Sequence, residues 1–216
     1  MICCLGFPGM PCPLHIYEPR YRSMVRRAMN SCSRRFGLFM PGPGPCGLSE
    51  VGVVLHIQNC DPLPDGRMLI GTRGDARVRV LTARIVEGCV TIRFEFHTDS
   101  PVHPESLEAY RALSSSVHSM AADWLATVPC NTRASLVPFF GGLPAFDQKT
   151  NEPGEFAAPA WVWWLVAVLP LNNQCRYKLL ACRSPEMRMR SLQNLLTRLA
   201  SEPIHCGGDS SRVLSC

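Results

Sequence analysis

Lysine is almost absent from this chain of 216 residues, which has only Lys149 and Lys178 beside 20 arginines and carries a net charge of +5. A phosphate-binding loop needs a glycine directly before a lysine, because backbone amides cradle the phosphates and the lysine reaches them. Neither lysine follows a glycine, so ATP hydrolysis of that type is excluded. An arginine-only excess fits bidentate contacts to carboxylates, so the charge permits an anionic partner without requiring one.

A long uninterrupted hydrophobic run is also missing. The most apolar stretch, residues 156–171, is bracketed by Pro159 and Pro170, whereas a bilayer-spanning helix needs about 20 apolar residues. The sequence opens without a basic segment, an apolar stretch and a small-residue cleavage site, so we expect no secretion and no membrane partner. The run instead predicts a buried helix at residues 160–169.

Paired metal ligands are lacking as well. Cys12 and His15 stand at zinc-ligand spacing, but a tetrahedral site needs a second pair, and His205 with Cys206 lies in a predicted tail. We therefore predict no metal. The twelve cysteines are scattered through apolar runs, where free cysteine acts as a small hydrophobe. This pattern indicates reduced thiols in a cytoplasmic or nuclear protein.

Signatures of covalent catalysis do not occur either. The sequence contains no Gly-x-Ser-x-Gly, no Ser-x-x-Lys and no local cysteine signature. His56 and His97 fall in predicted strands, where a packing role is commoner than that of a general base. The stretch TIRFEF at residues 91–96 alternates apolar and polar residues, so one face of this strand is expected to be exposed to water, with Glu95 at an outward position. We predict no catalytic residue and no cofactor.

Residues 1–100 predict a lobe of short strands with one helix. Pro19 suits the first helical position, where its missing N–H costs nothing, and residues 21, 24, 25 and 28 then share one face. Residues 64–66, Pro-Asp-Gly, predict a turn. The strands are expected at residues 2–5, 14–17, 36–40, 51–57, 68–70, 78–81 with 85–86, and 89–96. Short strands at this spacing favour a small closed or half-closed barrel.

Beyond residue 100 the apolar period changes to three and four, which predicts helices. Helices are expected at residues 107–125, 132–139 and 160–169, with a loop at 141–158. A last helix begins at Ser184 and Pro185, a good N-cap and first position, and places Met189, Leu192, Leu195, Leu196 and Leu199 inward. The prediction is thus an α+β chain with a β lobe at 1–100, a helical lobe at 101–200 and a flexible tail at 201–216.

A run of basic residues crosses the predicted helix and the strand after it. Its members are Arg22, Arg26, Arg27, Arg34 and Arg35, which we take as a candidate partner-binding surface. One interpretation is a basic surface for an acidic peptide or for RNA phosphates. The other is a solvated helix face, partly paired with carboxylates elsewhere in the fold.

Three stretches of the sequence resemble a known family. They are FPGMPCPLHIYEPRYR at residues 7–22, EVGVV to LPDGR to RVRVL between residues 50 and 81, and PAWVWWL with AVLPL at 159–171. The first two are similar to the Lon protease N-terminal, substrate-binding domain. The variant PCPLHIYEPRYR and the tryptophan-rich helix resemble more narrowly the Lon-N-terminal-domain-and-RING-finger proteins. The resemblance covers roughly residues 2–200.

This resemblance implies a PUA-like β barrel followed by a helical bundle. It also implies a protein-substrate recognition module, since in that family the domain follows RING fingers and helical repeats in RING-type ubiquitin ligases that direct ubiquitin-dependent turnover. The family assigns this domain no catalytic residues. Contact with ubiquitin-conjugating machinery is expected only through a RING that is not present in this chain. RNA binding, which other PUA-like modules perform, is the less favoured alternative.

Overall fold

The structure is a computed structural model, and it describes residues 5–146 and 158–201. The chain divides into two compact units, Met1–His97 and Thr98–Cys216. The five strands of the described sheet belong to the first unit, and five of the six described α-helices belong to the second.

The Met1–His97 unit is built on a five-stranded antiparallel sheet. Its elements in chain order are β1 (Leu14–Ile16), α1 (Pro19–Asn30), β2 (Arg35–Leu38), β3 (Val51–Pro62), β4 (Met68–Val86) and β5 (Cys89–Phe96). The strand order is β1-β4-β3-β2, and β5 pairs with β4 beside this path. Register shifts interrupt the β3–β4 and β4–β5 ladders. Bulges of this kind bend and twist strands, as a barrel-like sheet requires.

Strand β4 is a single strand of 19 residues, where the sequence predicted separate short strands. Glycines at positions 71 and 74 interrupt its apolar pattern without ending the strand. At Gly74 an added Cβ would collide with the carbonyl oxygen of Phe7, and the Gly74 carbonyl accepts a hydrogen bond from the Gly9 amide at 2.9 Å. Glycine here allows another backbone segment to approach the strand closely, which the sequence pattern could not distinguish from a turn.

The core of this unit is formed by apolar residues of the sheet and of α1. Leu55, Ile57 and Val78 from the sheet are fully buried, as is Val25 from α1. Of the four apolar residues predicted to share one face of α1, Val25 and Ala28 are buried, whereas Tyr21 is exposed.

The Thr98–Cys216 unit is helical. Its α-helices are α2 (Leu107–Thr127), α3 (Cys130–Phe140), α4 (Ala160–Val168), α5 (Asn173–Ala181) and α6 (Pro185–Ser201). Helix α5 was not predicted, because its short sequence has little apolar periodicity. Asn172 caps it by accepting a hydrogen bond from the Cys175 amide at 2.7 Å. The α+β fold class is confirmed.

Helix α4 forms the centre of this unit. Every residue of it after Ala160 is buried, and Trp161, Trp163 and Trp164 are each about 1% exposed. The prediction of a buried tryptophan-rich helix is confirmed. Within residues 5–146 and 158–201, no helix has both the length and the apolar character needed to span a membrane.

Helix α6 buries its predicted apolar face, with Leu199 only half-buried. Ser184 acts as the predicted cap, since its hydroxyl accepts a hydrogen bond from the Met187 amide at 3.2 Å. Arg188 is also buried in this helix, which the sequence did not suggest.

The described cysteines are mostly free thiols. They are Cys12, Cys32, Cys46, Cys60, Cys89, Cys130 and Cys182. The Cys89 thiol donates to the carbonyl oxygen of Arg20 at 3.2 Å. Cys175 is disulfide-bonded, which departs from the expectation of reduced thiols throughout.

Candidate functional site

The five arginines of the predicted partner-binding surface do not form one cluster. Arg27 of α1 donates to the Glu87 carboxylate at 2.6 Å, next to the β4–β5 turn. Arg35 of β2 donates to the Asp75 carboxylate of β4, also at 2.6 Å. Exposed pairs of this type stabilise a fold little. They do mean that two of the five arginines are already paired with carboxylates of the same chain.

The other three arginines lie in different surroundings. The Arg22 guanidinium lies against the β3–β4 turn, where a Cβ added at Gly66 would be 2.7 Å from its Nη1. Arg34 has a positive φ of 50°, and its Nη2 donates to the Met29 sulfur at 3.4 Å. Arg22 and Arg26 are one helical turn apart in α1, and neither makes an ion pair with the described part of the chain. The partner-binding role of the five residues stays a prediction.

A different surface of the same unit combines several exposed apolar side chains. We call the paired ends of β4 and β5, residues 78–96, the β4–β5 hairpin. Directly opposed residues share one face of a sheet, and the pairs Val80 with Phe94, and Ile85 with Val90, therefore lie on the same side. We call the side that carries Val78, Val80, Ala83 and Ile85 of β4 and Val90, Ile92, Phe94 and Phe96 of β5 the apolar face.

This apolar face runs from the core out to the surface. Val78 and Val80 are buried, whereas the exposed fractions are 44% for Phe94, 65% for Phe96 and 70% for Ile85. The two phenylalanine rings form an edge-to-face pair with centroids 5.9 Å apart. Contiguous exposed apolar side chains of this size are typical of an interaction site rather than of a free surface.

The opposite side of the hairpin, the charged face, is polar. Arg79 of β4 donates to the Glu95 carboxylate at 2.6 Å and lies 3.6 Å from the Glu50 carboxylate, and this pairing raises the pKa of the Arg79 guanidinium. Arg84 and Arg93 are on the same side, because Arg84 is paired with Thr91 and Arg93 is two residues further along β5. Neither has a carboxylate partner among the described residues, so the charged face retains unpaired positive charge.

The expectation for β5 was one exposed face and one covered face, with Glu95 outward. Glu95 is exposed, but Phe94 and Phe96 beside it are exposed too. The alternating pattern correctly separated two kinds of side chain. It could not show that the apolar side would lack a covering layer.

A small concave surface lies at the other end of the sheet. Leu69 of β4 stands between His15 of β1 and Asp61 of β3, to which it is directly opposed. Gly71, two residues along β4, and Asn59, whose side chain lies against it, also line this cavity of about 380 Å³. The His15 Nε2 is buried there and has no hydrogen-bond partner among the described residues. The cavity mixes apolar and polar groups and could hold a single side chain.

The described residues bring together no group that suggests metal or covalent chemistry. No three His, Cys, Asp or Glu within residues 5–146 and 158–201 are placed to hold a metal ion. Cys12 is buried, and its carbonyl accepts a hydrogen bond from the Thr72 hydroxyl. His97 is buried, with its amide donating to the Arg77 carbonyl at 2.9 Å.

Comparison with known proteins identifies relatives of the whole chain. Residues 4–198 match the family described as the ATP-dependent protease La (LON) substrate-binding domain. The chain is 31% identical to a LON peptidase N-terminal domain and RING finger protein of Schizosaccharomyces pombe, over 90% of its own length. It spans 44% of the length of that relative.

Two solved structures are similar in fold. The N-terminal domain of a Mycobacterium avium complex Lon protease aligns with a TM-score of 0.61 at 15% identity, covering 89% of this chain and 92% of that one. A Lon N-terminal domain protein from Xanthomonas campestris aligns with a TM-score of 0.52 at 22% identity, covering 88% and 92%.

Proposed function

Since the chain belongs to the family of the ATP-dependent protease La (LON) substrate-binding domain, we propose that it recognises protein substrates through the apolar face of the β4–β5 hairpin. The observation that carries the proposal is the exposure of Ile85, Phe94 and Phe96 on one continuous side of the hairpin. A client with exposed apolar segments would remove these side chains from water, which favours association by about 25 cal/mol per Å² of apolar surface.

Recognition of unfolded or partly folded clients fits this surface better than recognition of a small ligand. Small-molecule sites are concave and enclose most of the ligand, whereas the apolar face is a strip of half-exposed side chains on a strand pair. Aromatic residues are over-represented among the residues that dominate protein interfaces. Phe94 and Phe96 are therefore the expected anchors.

We further propose that this recognition serves ubiquitin-dependent protein turnover in longer members of the family. The support is the relative from Schizosaccharomyces pombe, whose name includes a RING finger and of which this chain spans 44%. In that arrangement the present chain binds the client, and a RING elsewhere engages the ubiquitin-conjugating machinery.

RNA binding is the second candidate and is less favoured. It would need arginines free to meet phosphates, but Arg27 and Arg35 are engaged with Glu87 and Asp75. Binding dominated by phosphate contacts weakens by about three to five decades between 50 and 200 mM salt. Binding by the apolar face should change little over the same range, so a salt titration separates the two candidates.

The proposed function is tested with a reduced, carboxymethylated, permanently unfolded protein as the client, its binding measured by fluorescence anisotropy. We expect the double variant Phe94→Ser/Phe96→Ser to weaken binding by at least about tenfold, since two aromatic anchors are lost. The matched control is Val137→Ser/Phe139→Ser, which removes apolar residues of similar exposure from α3. Unchanged binding by the first variant, or equal loss in both, would contradict the proposal.

A further inference from the structure

The outer edge of β5 is free for backbone hydrogen bonding in the described part of the chain. Strand β5 pairs with β4 and with no other described strand. Alternate residues of a strand direct their N–H and C=O groups to the same neighbour. The hydrogen bonds at either end of the hairpin therefore show which residues of β5 direct their N–H and C=O groups away from β4.

The hydrogen bonds at the two ends of the hairpin agree on which residues of β5 direct their peptide groups away from β4. At one end, the two-residue turn at Glu87 and Gly88, both with positive φ, closes the pair of Val86 and Cys89, and such a turn makes the closing pair a hydrogen-bonded one. At the other end, the His97 amide donates to the Arg77 carbonyl. Odd-numbered residues of β5 thus bond to β4. The outward peptide groups belong to residues 90, 92, 94 and 96.

These same four residues carry the exposed apolar face. A strand added beside β5 would place every second side chain next to Val90, Ile92, Phe94 and Phe96. Its remaining side chains would lie beside Thr91, Arg93 and Glu95 on the charged face. Glu95 is already paired with Arg79, so the unpaired charges near that row are Arg93 and Arg84.

Strand β5 also lacks several of the usual protections of an exposed edge. Natural edge strands are shortened, or carry proline, lysine or a bulge, to prevent pairing with other chains. The edge strands β1 and β2 have only three and four residues. Strand β5 has eight residues without proline or lysine, and the register shift of the hairpin falls in β4, between Val80 and Thr82.

We propose that the free edge of β5 binds an extended client segment as an added β-strand, and that the preferred segment alternates apolar and acidic residues. Backbone hydrogen bonds to residues 90–96 supply the affinity, as in other cases of strand addition. Apolar side chains of the segment pack on the apolar face, and acidic ones meet Arg93 and Arg84. The inference rests on the proposed function and specifies its binding mode and its sequence preference.

The first test measures the binding of three labelled ten-residue peptides to the full chain. One peptide alternates phenylalanine or valine with glutamate, one has the same residues in two blocks, and one has lysine for glutamate. We expect the alternating acidic peptide to bind at least about tenfold more tightly than the other two, because only it matches both faces. Equal affinities would overturn the sequence preference.

The second test uses N-methylation to remove the backbone N–H groups on one edge of the peptide strand at a time. In an antiparallel addition the segment's apolar residues direct their N–H groups to β5, so N-methylation of those residues should abolish binding and N-methylation of the glutamates should not. A parallel addition reverses the two results. Loss in both cases, or in neither, would overturn strand addition.

The third test alters β5 itself. Ile92→Pro removes an outward N–H and leaves the ladder to β4 intact, as proline is tolerated on the free side of an edge strand. We expect it to weaken peptide binding far more than Ile92→Ala does, because Ile92→Ala shortens the same side chain but keeps the outward N–H. Circular dichroism checks that the proline variant is folded. If it is not, the N-methylated peptides still test strand addition on the wild-type chain.

The outcomes separate this inference from the proposed function. Suppose that binding of the unfolded client depends on Phe94 and Phe96, but that Ile92→Pro does not weaken it and both N-methylated peptides still bind. Strand addition is then wrong, and the apolar face remains the site. If the client does not bind at all, the proposed function fails. A dimer of the chain that Ile92→Pro dissociates would assign the edge to a second copy and overturn the inference.

Discussion

Arg188 and Asp99 are joined by two parallel hydrogen bonds of 2.8 and 2.6 Å inside the helical unit. The arginine side chain is fully buried and the aspartate side chain nearly so. The guanidinium also stacks on the Trp163 ring at 4.8 Å and donates to the carbonyl oxygens of Leu179 and Cys182. The pair fixes the segment before α2 to the start of α6, because a buried charge must stay with its partner.

We expect Arg188→Met to lower the free energy of unfolding by about 3–5 kcal/mol, because it removes two charge-assisted hydrogen bonds from a nearly buried carboxylate. The measurement is urea unfolding of the full chain. Arg67→Met, which breaks an exposed contact with Asp65, should cost less than about 1 kcal/mol. Equal effects at Arg188 and Arg67 would contradict the role of burial.

Trp164→Ala tests the core of the helical unit. The side chain is 1% exposed, and its indole N–H donates to the Gly141 carbonyl at 3.2 Å. Deleting it should cost about 3–5 kcal/mol in the same unfolding measurement, the range for a buried aromatic. Met187→Ala, at a site 65% exposed, serves as the control. A loss below about 1 kcal/mol at Trp164 would show that this side chain does not lie in the core.

Tyr110 should make the protein sensitive to alkali. Burial raises the pKa of its phenol above the ordinary value of 10.0, so the folded state favours the neutral form. That contribution to stability is complete below pH 10 and is lost as the pH rises through the folded-state pKa. Thermal melts between pH 8 and 11.5 should therefore fall more steeply for the wild-type chain than for Tyr110→Phe, and parallel curves would contradict the assignment.

The predicted arginine surface is tested by reversing the charges of Arg22 and Arg26, which have no carboxylate partner among the described residues. Arg22→Glu/Arg26→Glu should weaken binding of an acidic client by about tenfold at 50 mM salt and by less at 200 mM, because exposed charges are screened. Arg27→Glu/Arg35→Glu is the matched control, and it should act less on binding because these residues already pair with carboxylates. Identical binding by the wild type and the first variant would remove Arg22 and Arg26 from the partner-binding surface.

The elements with strong local signals were predicted well. The motifs at residues 7–22, 50–81 and 159–171 identified the family, which the match over residues 4–198 confirms. The tryptophan helix and the apolar stripe of α6 were recognised by hydrophobicity and period. Helix α5 was missed, since its nine residues bury only three side chains and such a short helix has little periodicity.

The candidate surface was predicted only in part. The alternation at residues 90–96 is visible in the sequence, but its apolar side was expected to be covered. The run of arginines led instead to a predicted surface on α1 and β2. Arg84 and Arg93 carried no distinguishing signal, because their importance depends on which carboxylates the fold brings near them. Arg27 and Arg35 looked equally free until the fold placed Glu87 and Asp75 beside them.

The sequence by itself determined the family, the α+β class and the burial of the tryptophan helix, because these follow from local motifs and from the periodicity of apolar residues. The tertiary structure decided that Arg188 would be buried against Asp99, 89 positions away along the chain, and that the apolar side of β5 would face solvent. Alternation along a strand shows that its two faces differ. Which face is covered depends on the packing of residues distant in sequence, and only the folded chain settles that.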